Sequence, residues 1–244
     1  MSNAQIEAKT MKYLDAMADK YATEKAHGPD AKQMEYVREI VIAKCKGPKV
    51  LELGYGSGYW TKQLMNKQFD VTIVEGSAIL VKNCEESCGG RVRIVHSLFE
   101  KFQTQESYNS IIAAFVLEHV DAPAHFLSLL RSWLDEKGSL HIVVPNALSL
   151  HRRIGLKMKI LSHQLELSPQ ELEVGHKRAY TKESLKKEIE KARLKVNFIK
   201  GIFVKPLSSG QMMDWPNDLF DAYNKLSDEL PDYTAFIYAN CSKL

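Results

Sequence analysis

The residues from Glu52 to Trp60, ELGYGSGYW, place glycines at every second position, Gly54, Gly56 and Gly58, directly after the apolar run KVLEL. Glycines so spaced let the backbone turn tightly and bring main-chain N–H groups against a ligand at the start of a following helix. A second acid, Glu75, closes the next apolar run, DVTIVEG, 21 positions after Gly54. A carboxylate at that place in an open α/β sheet accepts hydrogen bonds from ribose hydroxyls. A dinucleotide fingerprint would need a third glycine where Tyr59 stands. Glu52 belongs to the same turn, and its carboxylate would repel a pyrophosphate but attract an α-ammonium group. The pattern therefore favours a nucleoside with an amino-acid tail over NAD.

ELGYGSGYW resembles motif I of the class I S-adenosylmethionine-dependent methyltransferases, and TIVEGS resembles their acidic motif after the second strand; the similarity covers most of the chain from Lys49 onward. The resemblance implies that Glu52, Gly54 and Gly56 hold the methionine end of S-adenosylmethionine, that Glu75 holds the ribose, and that Gly76 or Ser77 continues the loop. In HSLFE, Ser97 stands where the family commonly has an acid beside adenine, so the adenine is expected on the Leu98 and Phe99 backbone and by stacking. AAFVLEHVDAP, from Ala113 to Pro123, resembles the segment after the fourth strand that borders cofactor and acceptor. Ala114 and Phe115 would line the sulfonium side. Asn109 replaces the acid usual near the start of that strand.

A sulfonium is already a strong electrophile, so the enzyme must align the nucleophile and remove its proton. His119, next to Glu118, and His176, in GHKRAYT, are the candidate bases, and His151 is a weaker one. The pair Glu118–His119 with His176 also resembles part of the metal site of some RNA 3′-end and quinone methyltransferases. Those carry an additional acid where this chain has Phe115, so no metal is expected. His151, Arg152, Lys177, Arg178, Tyr180 and Met212 are the expected acceptor-binding residues, the arginines because a guanidinium clamps a carboxylate or phosphate bidentately. Tyr13 and Tyr21 are expected to cover the methionine end.

The elements that must hold these residues follow from periodicity. KVLEL, DVTIVEG, RVRIVHS, YNSIIAAF and GSLHIVVP alternate with segments of helical length, which predicts a doubly wound, Rossmann-like α/β sheet, mostly parallel. LKVNFIKGIF and YTAFIYANC supply a sixth and seventh strand. Ile154, Met158, Leu161 and Leu165 follow the spacing of one helical face and predict a cap helix. One domain is expected, with residues 1–46 as a helical lid, 47–145 as the cofactor-binding core, 146–180 as a cap insertion and 181–244 as C-terminal strands with a substrate-side helix.

The chain has 244 residues, 45% of them hydrophobic and 26% charged, which excludes a disordered, collagenous or disulfide-framework protein. Its 33 basic and 30 acidic residues leave +3, too little to predict a nucleic-acid or membrane partner. No run approaches the ~18 apolar residues of a membrane span, and the first residues carry no apolar signal core, so a cytoplasmic monomer or homodimer is expected. The acceptor is expected to be a small metabolite, with room for an anionic group, methylated on oxygen or nitrogen. An RNA-modifying enzyme, motivated by HRRIGLKMK, and a non-catalytic cofactor-binding protein are the alternatives.

Overall fold

The computed structural model describes residues 3–23 and 28–244, with the backbone alone at 3–4 and 19–23. Two helices, α1 (Asn3–Thr23) and α2 (Gly28–Ile42), lead into β1 (Lys49–Leu53). Then come α3 (Tyr59–Asn66), β2 (Asp70–Glu75), α4 (Ala78–Cys88), β3 (Arg93–His96), β4 (Tyr108–Ala114), α5 (Pro123–Trp133) and β5 (Leu134–Pro145). The chain continues through α6 (Leu150–Lys157), α7 (Pro169–Glu173), α8 (Lys182–Lys191), β6 (Leu194–Ile202), α9 (Asn217–Lys225) and β7 (Phe236–Lys243).

The seven strands form one sheet in the order β3-β2-β1-β4-β5-β7-β6. β1 pairs in parallel with both β2 and β4, while β7 runs antiparallel between β5 and β6. The chain winds outward in opposite directions from the β1/β4 boundary. Open α/β sheets bind ligands in the crevice at such a switch, beyond the carboxyl ends of the strands. This is the Rossmann-like sheet that the alternating runs predict.

Local chemistry fixes the element ends around the crevice. Ser77 caps α4 by accepting from the Leu80 N–H, and Gly89, at φ 56°, closes it. Proline at the first position of α5 loses no helical hydrogen bond, and Thr181 opens α8 with a capping box. α5 turns Phe126, Leu127, Leu130 and Trp133 onto one face of the sheet, where Leu185 and Ile189 of α8 join them. Residues of α2, α3, α4 and α9 cover the other face. Each such buried side chain contributes roughly 1.5–3 kcal/mol, so the crevice sits on a rigid three-layer base.

The cap departs from the predicted helix. α6 stops at Lys157, and Lys159 adopts φ 60°, so the chain reverses there. Leu161 folds back instead of continuing the stripe: its N–H reaches the Gly155 carbonyl, and an added Cβ on Gly155 would lie 3.7 Å from the Leu161 side chain. Met158 and Leu165 consequently remain 64% and 51% exposed. α7 forms in the polar segment that follows, because Ser168 and Glu171 make a capping box around Pro169. The segment returns to the sheet at Tyr180, which bridges Asn146 just beyond β5. None of the helices among the described residues is long and apolar enough to cross a membrane.

Candidate active site

β1 delivers its carboxyl end into a turn that only glycine accommodates. Gly54 has φ 86° and donates to the Val74 carbonyl of β2, which locks the turn to the neighbouring strand. Gly58, at φ 73°, precedes the first residue of α3, and an added Cβ there would lie 2.4 Å from the Tyr55 hydroxyl oxygen. Gly54 is required by its left-handed backbone, and Gly58 by a left-handed backbone together with close approach.

Glu75 ends β2 beside this loop and organises it. One carboxylate oxygen accepts the Tyr55 N–H at 2.9 Å and the other the Ser77 N–H at 2.8 Å, with 6% of the residue exposed. Burial raises its pKa, opposed by the N–H groups of Ser77, Tyr55 and Gly76. Ser77 donates to Asp15 of α1 at 2.7 Å, and an added Cβ on Gly76 would strike Leu14 at 2.6 Å. Thus α1 lies directly on the loop after β2. Its Tyr13 hydroxyl donates to the Glu173 carbonyl of α7 at 2.7 Å, so α1 bridges the two sides of the crevice.

These elements enclose a cavity of about 1110 Å³. That exceeds the roughly 300–1,000 Å³ of ordinary small-molecule pockets and leaves room for two molecules together. Of the predicted cofactor residues, Gly54, Gly56, Glu75, Gly76, Ser77, Leu98, Phe99, Ala114, Phe115 and Tyr13 line it. Ser97 does not; its hydroxyl turns to the Leu98 carbonyl at 3.0 Å. The Tyr21 side chain lies outside the described residues. Glu52 is buried behind the loop rather than in the wall: one oxygen accepts from the Thr61 hydroxyl at 2.8 Å, and the other has no hydrogen-bond partner. Burial pushes its pKa up to about 8, with the Glu75 charge adding to the effect. The glycine loop, the buried Glu75 and the apolar walls Leu98 and Phe99 fit an adenine nucleoside.

Two of the three candidate bases meet in this cavity. His119 and His176 both line it, their rings edge-to-face at 4.8 Å between centroids, and Nδ1 of His119 lies 3.3 Å from the Gly175 carbonyl. Glu118 joins them: ligand atoms of Glu118, His119 and His176 all lie within 4.8 Å of one another. His151 lies elsewhere, with burial lowering its pKa to about 3.

The predicted acceptor residues mostly serve the cap. Arg152 donates to Glu171 at 2.9 Å and to the carbonyls of Gln164 and Glu166, tying the reversal after α6 to α7. Arg178 donates to the Leu117, Val120 and Asp121 carbonyls, and the Tyr180 hydroxyl to the Leu117 carbonyl. Met212 is fully buried in the core. Lys177 alone of this group lines the cavity, and it pairs with Asp121 at 2.5 Å.

Other wall residues carry no motif. Asp30, Met34 and Arg38 line the cavity from one face of α2, and Lys205 lines it from the segment after β6. Burial lowers the Lys205 pKa, while Asp30 at 3.7 Å raises it. The i, i+4, i+8 spacing of Asp30, Met34 and Arg38 was visible as one helical face, but its orientation depends on how α2 packs.

The sequence matches the methyltransferase domain family over residues 14–197. The mitochondrial ubiquinone biosynthesis O-methyltransferase of Schizosaccharomyces pombe is 23% identical over 198 residues, 78% of this chain and 71% of that protein. The structure of DhpI in complex with SAM and HEP has a TM-score of 0.62 at 17% identity and covers 99% of both chains. A Haloferax volcanii methyltransferase solved with the Trm112 methyltransferase activator has a TM-score of 0.64 at 14% identity, covering 95% of this chain and 96% of that one.

Proposed function

As the chain belongs to the methyltransferase domain family and is a class I S-adenosylmethionine-dependent enzyme, we propose that it methylates an oxygen or nitrogen of a small-molecule acceptor, with His119 as proton acceptor. One observation carries this reading. A single cavity at the switch of the sheet is lined at one side by the glycine loop and Glu75 and at another by His119 and His176.

Bound S-adenosylmethionine supplies a methyl group on a sulfonium, leaving the neutral thioether of S-adenosylhomocysteine. The carboxylate of Glu75, held by two backbone N–H groups, keeps acceptor capacity for the ribose hydroxyls. Leu98 and Phe99 pack the adenine. A neutral His119 ring that donates from Nδ1 to the Gly175 carbonyl carries its lone pair on Nε2, which takes the acceptor's proton. α1 excludes water by spanning from the Ser77 loop to α7. Residues 1–46 in this reading act as lid and 146–180 as cap, and Lys177 is the basic residue on the acceptor side.

The test is to incubate the protein with methyl-labelled S-adenosylmethionine and a cell extract and to identify the product by mass spectrometry. A labelled small metabolite is expected. Label in RNA would replace the acceptor class, and no transfer despite cofactor binding would mean a non-catalytic cofactor-binding protein.

A further inference from the structure

Across the crevice from the cofactor residues, the cavity wall holds a cation to which the reading above gives no work. Glu75 ends β2 and the glycine loop follows β1, so the nucleoside and its tail occupy one half of the sheet. Pro145 ends β5 and pairs with Phe236, the first residue of β7, and both line the cavity from the other half. Three strand spacings separate β2 from β5, about 14 Å. Lys205 lines the cavity beside this second half. Its carbonyl accepts the His151 N–H of α6 at 2.9 Å, and two residues earlier the Phe203 carbonyl accepts the Ala235 N–H next to β7.

The Lys205 side chain is 14% exposed, and its ammonium has three N–H donors. One meets the Ser209 hydroxyl at 2.7 Å, and that hydroxyl donates in turn to Asp30 at 2.6 Å. The Asp30 carboxylate lies 3.7 Å from Nζ, too far for a hydrogen bond, and is 45% exposed, so water screens it. The other two donors meet no acceptor among the described residues. His151 brings no negative charge: burial, with the Lys205 and Arg152 charges, lowers its pKa to about 3 and keeps it neutral. Lys177 shows the contrast, since Asp121 meets it directly and both side chains are open to water. A largely buried ammonium with unfilled donors is stabilised by an anion that enters the cavity.

The wall between the cofactor side and Lys205 is apolar. Phe115 stands just beyond β4, which lies between β1 and β5, and its ring meets Phe236 edge-to-face at 5.3 Å. Pro145 and Met34 line the cavity with them. A molecule that spans this stretch needs an apolar body, and an acid group on it is left without a partner until it reaches Lys205.

We propose that Lys205 receives an ionised acid group, carboxylate or phosphate, on an acceptor of otherwise apolar body, and so selects anionic acceptors. The proposal rests on the methyltransferase reading above and adds a second basic residue to Lys177. The acid is held, not methylated: an ammonium that binds its oxygens withdraws their lone pairs from attack. The methyl passes to another oxygen or nitrogen of the same molecule, and the product keeps the charge of the acid.

The test incubates the wild type with methyl-labelled S-adenosylmethionine and a cell extract, separates the labelled small molecules on an anion exchanger at pH 7 and identifies them by mass spectrometry. Label is expected in a retained small molecule, whose mass tells a carboxylate from a phosphate. With the unmethylated parent of that product, K205M should raise KM about 10- to 100-fold, the worth of a charged hydrogen bond, and leave kcat within about threefold, because it removes binding common to ground and transition states. K205R, which restores the charge, should recover part of the loss. K205M should also bind S-adenosylhomocysteine within about twofold of the wild type and unfold no earlier. Label confined to unretained small molecules overturns the proposal alone, as does an unchanged KM in K205M. Equal weakening of S-adenosylhomocysteine and acceptor marks Lys205 as a prop for the fold and overturns it too. A wild type that binds S-adenosylhomocysteine but labels no small molecule overturns the acceptor reading above and this inference with it.

Discussion

Replacing Glu52 by Gln is expected to remove a pH dependence from the stability of the folded chain. The carboxyl is 2% exposed, one oxygen is satisfied by Thr61 and the other has no hydrogen-bond partner, so burial pushes its pKa up to about 8 from the usual 4.5. Below pH 4.5 both folded and unfolded chains hold this proton, and Glu52 adds no pH dependence. Between 4.5 and 8 the folded chain retains the proton that the unfolded chain has released, so stability falls as pH rises; above 8 the loss is complete. Each pH unit in that window is worth about 1.36 kcal/mol, or on the order of 4 kcal/mol from pH 5 to pH 8. Glutamine keeps the shape and an acceptor for Thr61 but does not titrate. Urea unfolding at pH 5, 6, 7 and 8 should therefore show the stability of Glu52→Gln rising progressively relative to the wild type. A difference that stays constant across the four pH values would refute the placement of a protonated carboxyl behind the glycine loop.

Arg152→Met leaves Glu171 and two carbonyls without their partner in the cap, and should cost about 3–5 kcal/mol in urea unfolding while changing S-adenosylhomocysteine affinity less than twofold. If affinity for an acceptor falls while stability does not, Arg152 is a binding residue after all. His119→Gln should lower the rate of labelled methyl transfer by about 10²–10⁴-fold and flatten the acidic limb of its pH profile. Full activity in that variant would remove His119 as the base. Transfer is expected to persist in EDTA; loss restored by a divalent cation would instead place a metal among Glu118, His119 and His176.

The glycine loop and Glu75 were legible in the sequence because their constraints are local: a left-handed turn after a strand, and an acid at the end of the next strand. The sheet was legible for the same reason, since five apolar runs spaced by helical segments admit few windings. The arginines were not. Arg152 and Arg178 read as anion clamps, yet the reversals that hold the cap expose backbone carbonyls, and these arginines satisfy them. Nothing in the spacing of Arg152 announces that α6 will end at Lys157 and bring carbonyls to it. Arg38 lay in an ordinary amphipathic helix, and only the packing of α2 against the glycine loop turns it into the cavity wall. Glu52 belonged to the motif by position, but the fold turns its side chain toward Thr61.

The central claim is that this crevice holds S-adenosylmethionine with its ribose on Glu75, and calorimetric titration of the wild type and Glu75→Gln with S-adenosylhomocysteine tests it most directly. The wild type should bind saturably with one site per chain. Glu75→Gln, which exchanges an ionised acceptor for an amide, should bind at least about 10-fold more weakly. No binding to the wild type, or equal binding to both proteins, would contradict the claim.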